Sequence, residues 1–394
     1  MATPKLRFKE FDGNWQSVHL DSVVTFKKGK GISKADIIED GANYCIRYGE
    51  LYTTYGQVIR KVFSKTNIPK SESVLSKAGD VIIPASGETQ IDIATASCVL
   101  ESDIILSGDL NILSHSEVGE WLAYYLSSAK KLEIAQLAQG NSVVHLYSSQ
   151  LKDLKINKPS KEEQTKIASF LSAVDEKISQ LTQKYELLSQ YKQGMMQKLF
   201  SQQIRFKVDD GSEFGEWLSE RISKVFTNKS KSFNPLLNES LLCIELEHLS
   251  QNTGQILGTV NSSDQQSTKN LFEPNSVLYG KLRPYLRKFA KPQFKGVCSS
   301  EIWVLTGLKI SNDYLFQFVQ SEQFTELTNI QSGSKMPRAD WNVIADAEIE
   351  FPCLEEQTKI ANFLAAIDQK IEVVTHQIEQ AKQWKKGLLQ QMFV

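Results

Sequence analysis

The sequence predicts an α/β (α+β) chain: two globular mixed α/β domains held apart by two long antiparallel coiled-coil helices, in a pseudo-two-fold internal repeat. Three observations predict this fold. The segment EEQTKIASFLSAVDEKI at residues 162–178 returns as EEQTKIANFLAAIDQKI at residues 355–371, 193 positions later in a chain of 394. Both copies carry apolar residues at coiled-coil spacing. Short β-branched runs between Gly, Pro, Asn and Asp turns fill the stretches outside them.

The duplication covers the whole chain. Aligning residues 159–200 with residues 352–393 gives 21 identities in 42 positions, more than a shared helical pattern gives by itself. A shorter repeat lies near the start of each globular part, with LRFK at residues 6–9 and IRFK at residues 204–207. The predicted division is a first globular domain at 1–157, a central helix at 158–200, a second globular domain at 201–350 and a C-terminal helix at 351–394.

The repeated segment is a helix with a narrow apolar seam. Its apolar residues advance in alternating steps of four and three, which is coiled-coil spacing rather than the broader face of a surface helix. Ser160 and Glu163 predict a capping box at the first start, and Cys353 replaces that serine in the second copy. The seams pack either on their own globular domains or on each other, and their equal length favours each other. The seam residues are Ile167, Leu171, Val174, Ile178, Leu181, Tyr185 and Leu188, then Ile360, Leu364, Ile367, Ile371, Val374, Ile378 and Ala381.

Composition and motifs argue against several classes of protein. Lys and Arg number 45 against 46 Asp and Glu, so a grossly basic nucleic-acid binder is excluded, although a local basic patch is not. The five scattered cysteines form no CxxC pair, and no apolar leader or membrane span is evident, so a cytoplasmic protein is expected. No phosphate loop, helix-opening GxGxxG or metal-type histidine spacing occurs. Asp80 and Glu88 mimic a nuclease pair, but such carboxylates are more often turn residues.

A basic stretch in the second half is the strongest local signal for nucleic acid. Residues 272–295 hold six Lys and Arg against one acid, a net of +5 in a chain of net −1. Tyr279, Tyr285 and Phe289 are interleaved with them. Lys and Arg attract phosphate, and Arg also reads base edges. Residues 44–70 are a milder analogue, with five Lys and Arg against one acid. A solvated charged surface is the alternative for both stretches.

Three polar segments are further candidates for DNA contacts. QSGSKMPRADW at residues 331–341 follows a predicted helix over 312–330, and AQGNSVVHLY at residues 138–147 follows its counterpart over 119–137. The histidine of the first-half segment either reads DNA or is buried and satisfied. PASGE at residues 84–88 follows an apolar strand, and it is either a base-reading loop or a plain turn.

These features together resemble the specificity (S) subunit of Type I restriction–modification enzymes. The resemblance covers essentially the whole chain and is most specific in the duplicated EEQ.KIA helices, CIRYGELYTTYG, YGKLRPYLRK and SGSKMPRADW. It implies that each globular domain is a target recognition domain that reads one half of a bipartite, asymmetric target in double-stranded DNA. The helices would set the gap between the halves and dock two methylation (M) subunits, with restriction (R) subunits joining through the complex.

The resemblance also implies a non-catalytic chain that DNA adenine methylation and restriction both require. S-adenosylmethionine, ATP and Mg are expected on partner subunits, with no cofactor or metal in this chain. The candidate DNA-contacting residues are Lys30, Arg47, Tyr48, Arg60, Lys61, Ser86, Gly87, His145, Lys281, Arg283, Tyr285, Arg287, Lys288, Lys335 and Arg338. The candidate docking residues, expected on an exposed helix face, are Glu162, Glu163, Gln164, Lys166, Glu355, Glu356, Gln357 and Lys359.

Two functions of other classes compete with this interpretation. One is an adaptor built on an antiparallel coiled coil, with no DNA role. Basic, aromatic-rich stretches at corresponding places in both halves argue against it. The other is a fused enzyme with restriction activity of its own, and the missing cofactor and metal motifs argue against that.

Overall fold

The computed structural model describes residues 3–140, 143–330 and 336–394. Within it the chain forms two compact units: unit 1 comprises Met1–Gln183 with His376–Val394, and unit 2 comprises Lys184–Thr375. The division predicted from the sequence treats each long helix as separate from the globular domains. In the structure, by contrast, the boundaries between the two units fall within both long helices. Each unit therefore contains the beginning of one long helix and the end of the other.

Unit 1 combines short strands, short helices and the start of a long helix. Its strands are β1 (Gln16–His19), β2 (Val24–Lys28), β3 (Asn43–Ile46), β4 (Val58–Ile59), β5 (Lys65–Thr66), β6 (Val81–Pro84), β7 (Ser86–Gly87), β8 (Ser97–Val99), β9 (Ile105–Leu106), β10 (Leu110–His115), β11 (Val144–His145) and β12 (Lys155–Lys158). Its helices are α1 (Glu50–Thr53), α2 (Gln90–Ile93), α3 (Gly119–Ser128), α4 (Lys131–Leu137), α5 (Ser148–Lys152) and the beginning of α6 (Lys161–Phe200).

The main sheet of unit 1 has five strands in the order β2-β10-β6-β8-β4. A three-stranded sheet, β5-β3-β9, and two antiparallel pairs, β1 with β12 and β7 with β11, complete the domain. In the β1–β12 pair Gln16 lies opposite Lys158, so the chain entering the domain runs beside the chain that leaves it for α6.

Aromatic side chains fill the core of unit 1. Trp121 and Tyr125 of α3 are fully buried and stack with ring centroids 5.2 Å apart. Phe393, just beyond the end of the second long helix, packs edge-on against Tyr125 at 5.7 Å. The Tyr125 hydroxyl donates to the Val394 carbonyl at 2.9 Å. The C-terminal end of the chain is therefore part of the core of unit 1.

Unit 2 repeats this plan with different strand lengths. Its strands are β13 (Leu218–Arg221), β14 (Phe226–Thr227), β15 (Ser232–Phe233), β16 (Leu242–Ile244), β17 (Val260–Asn261), β18 (Lys269–Phe272), β19 (Val277–Gly280), β20 (Phe289–Ala290), β21 (Gly296–Cys298), β22 (Ile302–Gly307) and β23 (Glu348–Phe351). Its helices are the end of α6, α7 (Ile222–Val225), α8 (Asn312–Phe318), α9 (Glu322–Asn329), α10 (Trp341–Asp346) and the beginning of α11 (Leu354–Met392).

The sheets of unit 2 have the orders β14-β22-β19-β20 and β15-β18-β21-β16-β17. The pair β13–β23 is antiparallel and again joins the entry of the domain to its exit into a long helix, as β1–β12 does in unit 1. The predicted mixed α/β class with an internal repeat is therefore confirmed.

The prediction of one continuous helix before residues 140 and 333 is wrong in both halves. In unit 1 the chain turns at Ala129 and Lys130 between α3 and α4. In unit 2, α8 ends at Phe318 and α9 starts afresh, because the Ser321 hydroxyl accepts a hydrogen bond from Phe324 N at 3.3 Å.

The predicted seam is buried or half-buried along both long helices, and the antiparallel arrangement is confirmed within each unit. The start of α6 packs in one hydrophobic cluster with the end of α11, and the start of α11 packs with the end of α6. The seams were predicted to pack either on their own globular domains or on each other, and both alternatives are partly right. Each seam begins in the core of its own domain and contacts the other helix there. The buried seam residues are Ile167, Leu171, Val174, Leu181, Ile360, Leu364, Ile367 and Val374, and the half-buried ones are Ile178, Tyr185, Leu188, Ile371, Ile378 and Ala381.

A buried glutamate fixes the start of α6 to unit 1. Glu163 is 2% exposed, and its carboxylate oxygens accept hydrogen bonds from Arg7 Nε and Nη2, each at 2.7 Å. Trp15 Nε1 donates a third at 3.3 Å. The carboxylate lies in the first helical turn, where unpaired backbone N–H groups favour negative charge. Since Arg7 and Trp15 lie near the start of unit 1 and Glu163 follows its last strand, the interaction closes the domain on itself.

Unit 2 repeats this interaction. Glu356 is fully buried and accepts from Arg205 Nε at 3.1 Å and Nη2 at 2.7 Å, and Trp217 Nε1 donates at 3.2 Å. Glu163 and Glu356 are 193 residues apart, so the anchor belongs to the repeat. The LRFK and IRFK repeats noticed in the sequence supply the arginines.

The capping box predicted for α6 is half formed. Ser160 Oγ accepts from Glu163 N at 3.3 Å, as predicted. The Glu163 carboxylate is bound to Arg7 instead of returning to the backbone of Ser160. Cys353, the equivalent of Ser160 in the second copy, is an exposed free thiol.

The glutamine that follows each anchoring glutamate binds backbone groups inside its own unit. Gln164 Oε1 accepts from Val118 N at 3.0 Å, and its Nε2 donates to the Pro159 carbonyl at 3.1 Å. Gln357 Oε1 accepts from Ser311 N at 2.9 Å in the same way. Each glutamine therefore ties the first turn of a long helix to the segment preceding α3 or α8.

The predicted exposure of the docking candidates is wrong for four of the eight. These four side chains are bonded within their own units, which accounts for their identity in both copies without any partner. They are Glu163, Gln164, Glu356 and Gln357, at 2%, 0%, 0% and 1% exposure.

The remaining candidates are more accessible. Lys166 is 53% exposed and lies 3.3 Å from Glu10, while Lys359 is 25% exposed and lies 2.5 Å from Asp209. The other two, Glu162 and Glu355, are exposed. A docking role for these residues stays a prediction.

Replacing Arg205 by alanine should destabilise unit 2, because the change leaves the Glu356 carboxylate buried without its main partner. The expected loss is about 3 kcal/mol, at the low end for a broken buried pair because the Arg205 side chain is 20% exposed. Urea unfolding followed by tryptophan fluorescence measures the loss, with Trp217 close to the change.

Lys207→Ala is the matched control. The Lys207–Glu213 pair spans 2.8 Å with both side chains more than 60% exposed, so its loss should cost less than about 1 kcal/mol. Equal effects of the two substitutions would contradict the anchoring role of Arg205.

Candidate nucleic-acid interface

Two predicted segments come together in unit 2 as a pair of antiparallel loops. Ala339 N donates to the Lys281 carbonyl at 2.9 Å, and Arg283 N donates to the Pro337 carbonyl at 2.8 Å. Between them Leu282 forms an antiparallel bridge with Arg338. The basic stretch and the SGSKMPRADW segment therefore present one surface. We call residues 281–283 and 337–339 the loop pair of unit 2.

Unit 1 has the same arrangement at the equivalent place. Strands β7 and β11 pair so that Ser86 faces His145, and Leu146 N donates to the Ala85 carbonyl at 3.0 Å. His145 and Arg338 are 193 residues apart. We call residues 85–87 and 144–146 the loop pair of unit 1. The predicted correspondence between AQGNSVVHLY and QSGSKMPRADW is therefore present in the backbone.

The loop pair of unit 2 presents cationic and aromatic side chains. Arg338 is 52% exposed, and Glu301 holds its guanidinium with contacts of 3.1 and 3.3 Å. This hydrogen bonding raises the pKa of Arg338. Arg283 is exposed with a left-handed φ of 51°, and Tyr285 is 53% exposed. An open cavity of about 410 Å³ lies beside Arg338, and its lining residues are Lys281, Trp303, Arg338, Ala339, Asp340 and Trp341.

The loop pair of unit 1 is less charged and more enclosed. Ser86 is 8% exposed and Gly87 is also buried, and both lie in strand β7 rather than in a plain turn. The Ser86 hydroxyl lies 3.2 Å from Nδ1 of the half-buried His145. Tyr147 stacks beside His145 with ring centroids 6.2 Å apart and is 53% exposed. Sequence reasoning did not single out Tyr147.

Several predicted contact residues of the second half are engaged inside unit 2. The Arg287 guanidinium donates to the Gln320 carbonyl, and its side chain is 26% exposed. Lys288 Nζ donates to the Leu246 carbonyl at 2.6 Å. Tyr279 and Phe289, read as aromatics interleaved in a basic loop, are core residues with 0% and 1% exposure. The basic surface is thus smaller than the charge count indicated.

The first-half candidates Arg47, Tyr48 and Lys30 differ in accessibility. Arg47 Nη2 lies 3.3 Å from Glu50 Oε1, and its side chain is 26% exposed. Tyr48 is partly buried against a hydrophobic cluster, whereas Lys30 is exposed. Lys30 is thus the most accessible of the three.

Arg60 and Lys61 lie together on an exposed, aromatic surface. Arg60 is 54% exposed and 3.8 Å from Glu120. Lys61 Nζ lies 5.5 Å from the ring centre of Phe63, which is 59% exposed and stacks on Tyr55. Sequence reasoning missed Phe63, an exposed phenylalanine beside the Lys61 ammonium. Lys335, another predicted contact, falls outside the described residues.

Carboxylates and thiols with possible reactivity have structural roles. Asp80 is 6% exposed and accepts from Lys77 N and Ser114 Oγ, both at 2.9 Å, so it is a turn residue. Burial raises the pKa of the Cys45 thiol to about 11 and of the Cys98 thiol to about 12. Both thiols are therefore protonated at neutral pH.

Metal-binding clusters and membrane-spanning helices are both absent from the part of the chain that the structure describes. In residues 3–140, 143–330 and 336–394, no group of three or more His, Cys, Asp or Glu side chains is placed to hold a metal ion. Among the helices of those same residues, none is both long and apolar enough to cross a membrane.

Structural comparison shows which fold the chain shares. It superposes with a TM-score of 0.65 on the S subunit of a Type I restriction–modification system from M. genitalium, at 17% identity, covering 100% of this chain and 99% of that one. A chain from a study of complex assembly and conformational transition of the Type I system gives a TM-score of 0.55 at 15% identity, with 98% of each chain covered.

Sequence comparison identifies the family. The Type I restriction enzyme MjaVIII specificity subunit of Methanocaldococcus jannaschii is 23% identical over 419 residues, covering 97% of this chain and 94% of that protein. The EcoDI specificity subunit of Escherichia coli is 22% identical over 288 residues, covering 66% and 65%. The family model described as Type I restriction modification DNA specificity domain matches residues 12–190 and 221–383. The chain belongs to the Type I restriction–modification DNA specificity family.

Proposed function

We propose that this chain is the non-catalytic, sequence-specific DNA-binding subunit of a Type I restriction–modification complex, and that each unit reads one half of a bipartite target. One observation carries this proposal: the same loop pair, held by equivalent backbone hydrogen bonds, occurs in both units. Two equivalent reading surfaces fit two half-sites. Because His145 stands in unit 1 where Arg338 stands in unit 2, the half-sites should differ and the target should be asymmetric.

Exposed side chains of the loop pairs and of other segments suit different contacts with DNA. Arg338, held by both oxygens of Glu301, has a pre-oriented guanidinium suited to a base edge. Arg60 and Lys61 are exposed cations that suit phosphate. Tyr147 and Tyr285 supply exposed rings with hydroxyl groups that can donate to either.

Two copies of a methylation subunit fit the repeated surface of the long helices. Glu162 and Glu355 are exposed at equivalent positions, so they remain docking candidates. Tyr191 and Trp384 are also 193 residues apart, and they are 51% and 54% exposed. Exposed aromatic rings are typical of protein interfaces. We include these two aromatics in the proposed docking surfaces.

The spacing of the half-sites and the catalytic activities would come from the long helices and from the partner subunits. Since each long helix has residues in both units, we propose that the helices set the gap between the half-sites. The partners would provide S-adenosylmethionine-dependent adenine methylation and, through restriction subunits, ATP- and Mg-dependent cleavage. Both activities would depend on this chain for their target.

Arg338→Ala tests the reading surface of unit 2. We expect specific binding by the complex with methylation subunits to weaken by about 1–3 kcal/mol, with relaxed preference in one half-site only, because a single base-contacting side chain is lost. Binding to a library randomised in each half-site measures both quantities. Relaxation of both half-sites together would contradict separate readers.

Two matched variants distinguish the loss of a base contact from the loss of a phosphate contact and from the loss of stability. Lys295 is 51% exposed and 3.0 Å from Glu273, so Lys295→Ala should lower affinity for all sequences and reduce the salt slope by about one. Arg287→Ala should lower the melting temperature more than Arg338→Ala or Lys295→Ala does, because the Arg287 guanidinium is bonded inside the unit.

A half-chain of residues 1–205 should form a two-fold homodimer. In unit 1 the end of α11 packs against the start of α6, and the end of α6 is its repeat. A second half-chain can therefore supply Met195, Leu199 and Phe200 where the full chain supplies Leu388, Met392 and Phe393.

The dimer should bind methylation subunits and recognise a palindrome of the first half-site. Light scattering gives its mass, and methylation mapping of the complex gives its site. A monomer without methylation, or an asymmetric site, would disprove this prediction.

A further inference from the structure

Near the end of α11 a lysine joins three polar groups of unit 1. Lys385 Nζ lies 2.6 Å from Asp175 Oδ1 of α6 and donates to Gln57 Oε1 at 2.8 Å. Its ammonium is also 5.4 Å from the ring centre of Tyr124. The Tyr124 hydroxyl donates to Asp175 Oδ2 at 2.6 Å. The Lys385 side chain is 16% exposed and that of Asp175 is 31% exposed, so the lysine is the more buried partner.

A lysine of α6 makes the same contacts in unit 2. Lys192 Nζ lies 2.5 Å from Asp368 Oδ1 and donates to Gln320 Oε1 at 2.7 Å. Gln317 Nε2 takes the place of the tyrosine and donates to Asp368 Oδ2 at 3.2 Å. Burial lowers the pKa of Lys192, against the opposing effect of Asp368. The lysines are 193 residues apart, as are the two aspartates.

Stability alone is a weak reason for these networks. The free energy lost by desolvating a lysine and an aspartate is about as large as the free energy gained from their attraction. Apolar residues of similar volume often stabilise a protein equally well. What such a pair adds is a fixed geometry, because a misplaced partner leaves a buried charge unpaired. Each network should therefore fix the position of the third group it binds, the glutamine.

Both glutamines are bonded to, or belong to, chain segments that also carry residues proposed to contact DNA. In unit 2 the Gln320 carbonyl accepts from the guanidinium of Arg287, which lies between Tyr285 and Lys288 in the basic stretch. In unit 1 the Gln57 carbonyl accepts from Cys98 N at 2.9 Å. Gln57 also immediately precedes β4, after which the chain reaches the exposed Arg60 and Lys61.

We propose that Lys385 and Lys192 are positioning residues that hold the DNA-contacting segment of one unit against the long helix contributed by the other half of the sequence. This inference rests on the proposed function. Its consequence is a crossed dependence. The first half-site should depend on a lysine near the C-terminus, and the second half-site on a lysine in the central helix. Neither lysine would touch a base.

The test uses the full chain in complex with its methylation subunits, carrying Lys385→Met or Lys192→Met. Binding to DNA libraries randomised in one half-site at a time gives the selectivity at each half, and Arg338→Ala identifies the half read by unit 2. We expect Lys385→Met to lower selectivity in the half-site of unit 1 by about three- to tenfold, and Lys192→Met to do so in the other half. Lys→Arg variants keep the charge and should restore most of it.

Matched controls and a second pair of variants complete the experiment. Lys382→Met and Lys184→Met change exposed lysines of the same helices and should leave both half-sites unchanged. If a lysine variant fails to fold, Gln57→Leu or Gln320→Leu breaks the same connection and leaves the Asp–Lys pair in place. Loss of melting temperature with unchanged selectivity, or equal relaxation of both half-sites, would overturn the inference. A wild-type complex without sequence preference would instead refute the proposed function.

Discussion

The bidentate contact between a buried glutamate and an arginine is the constraint on which the rest of each unit depends. A carboxylate at 2% exposure is tolerated because Arg7, Trp15 and the first turn of α6 all favour its charge. The arginine precedes the first strand of its unit, and the glutamate follows the strand that leads into the long helix. The contact therefore closes a long, irregular chain segment into one domain and fixes where the long helix leaves it, and Gln164 ties the same turn to the segment before α3.

Closing each domain in this way also ties it to the other helix. Leu6 N donates to the Gln391 carbonyl at 2.9 Å in unit 1, and Ile204 N donates to the Lys198 carbonyl at 3.3 Å in unit 2. Gln391 and Lys198 are 193 residues apart. In unit 1 this backbone hydrogen bond joins two segments that are distant in sequence, whereas in unit 2 it lies within one continuous stretch of chain. The first residues of the sequence therefore pack beside its last ones in unit 1.

The repeat and the seam could be predicted because both are regular in sequence. The burial of Glu163 could not, because its partner Arg7 lies 156 residues away and nothing local distinguishes it from the exposed Glu162. Tyr279 and Phe289 looked like surface aromatics because their neighbours are charged. They belong to the paired strands β19 and β20, where alternate side chains can point into the core. Loop contacts were the hardest to foresee, since backbone pairing decides which loops meet.

Side chains hold the frame beside the long helices and backbone hydrogen bonds hold the loop pairs, which explains how one frame can carry two different loop surfaces. Contacts beside the long helices use the same side chains in both units: glutamate with arginine and tryptophan, then glutamine, then aspartate with lysine. The loop pairs are held largely by backbone hydrogen bonds, which place few demands on side-chain identity. His145 can therefore stand where Arg338 stands without altering the frame. Substitutions at the exposed positions of the loops can therefore change this surface at little cost in stability.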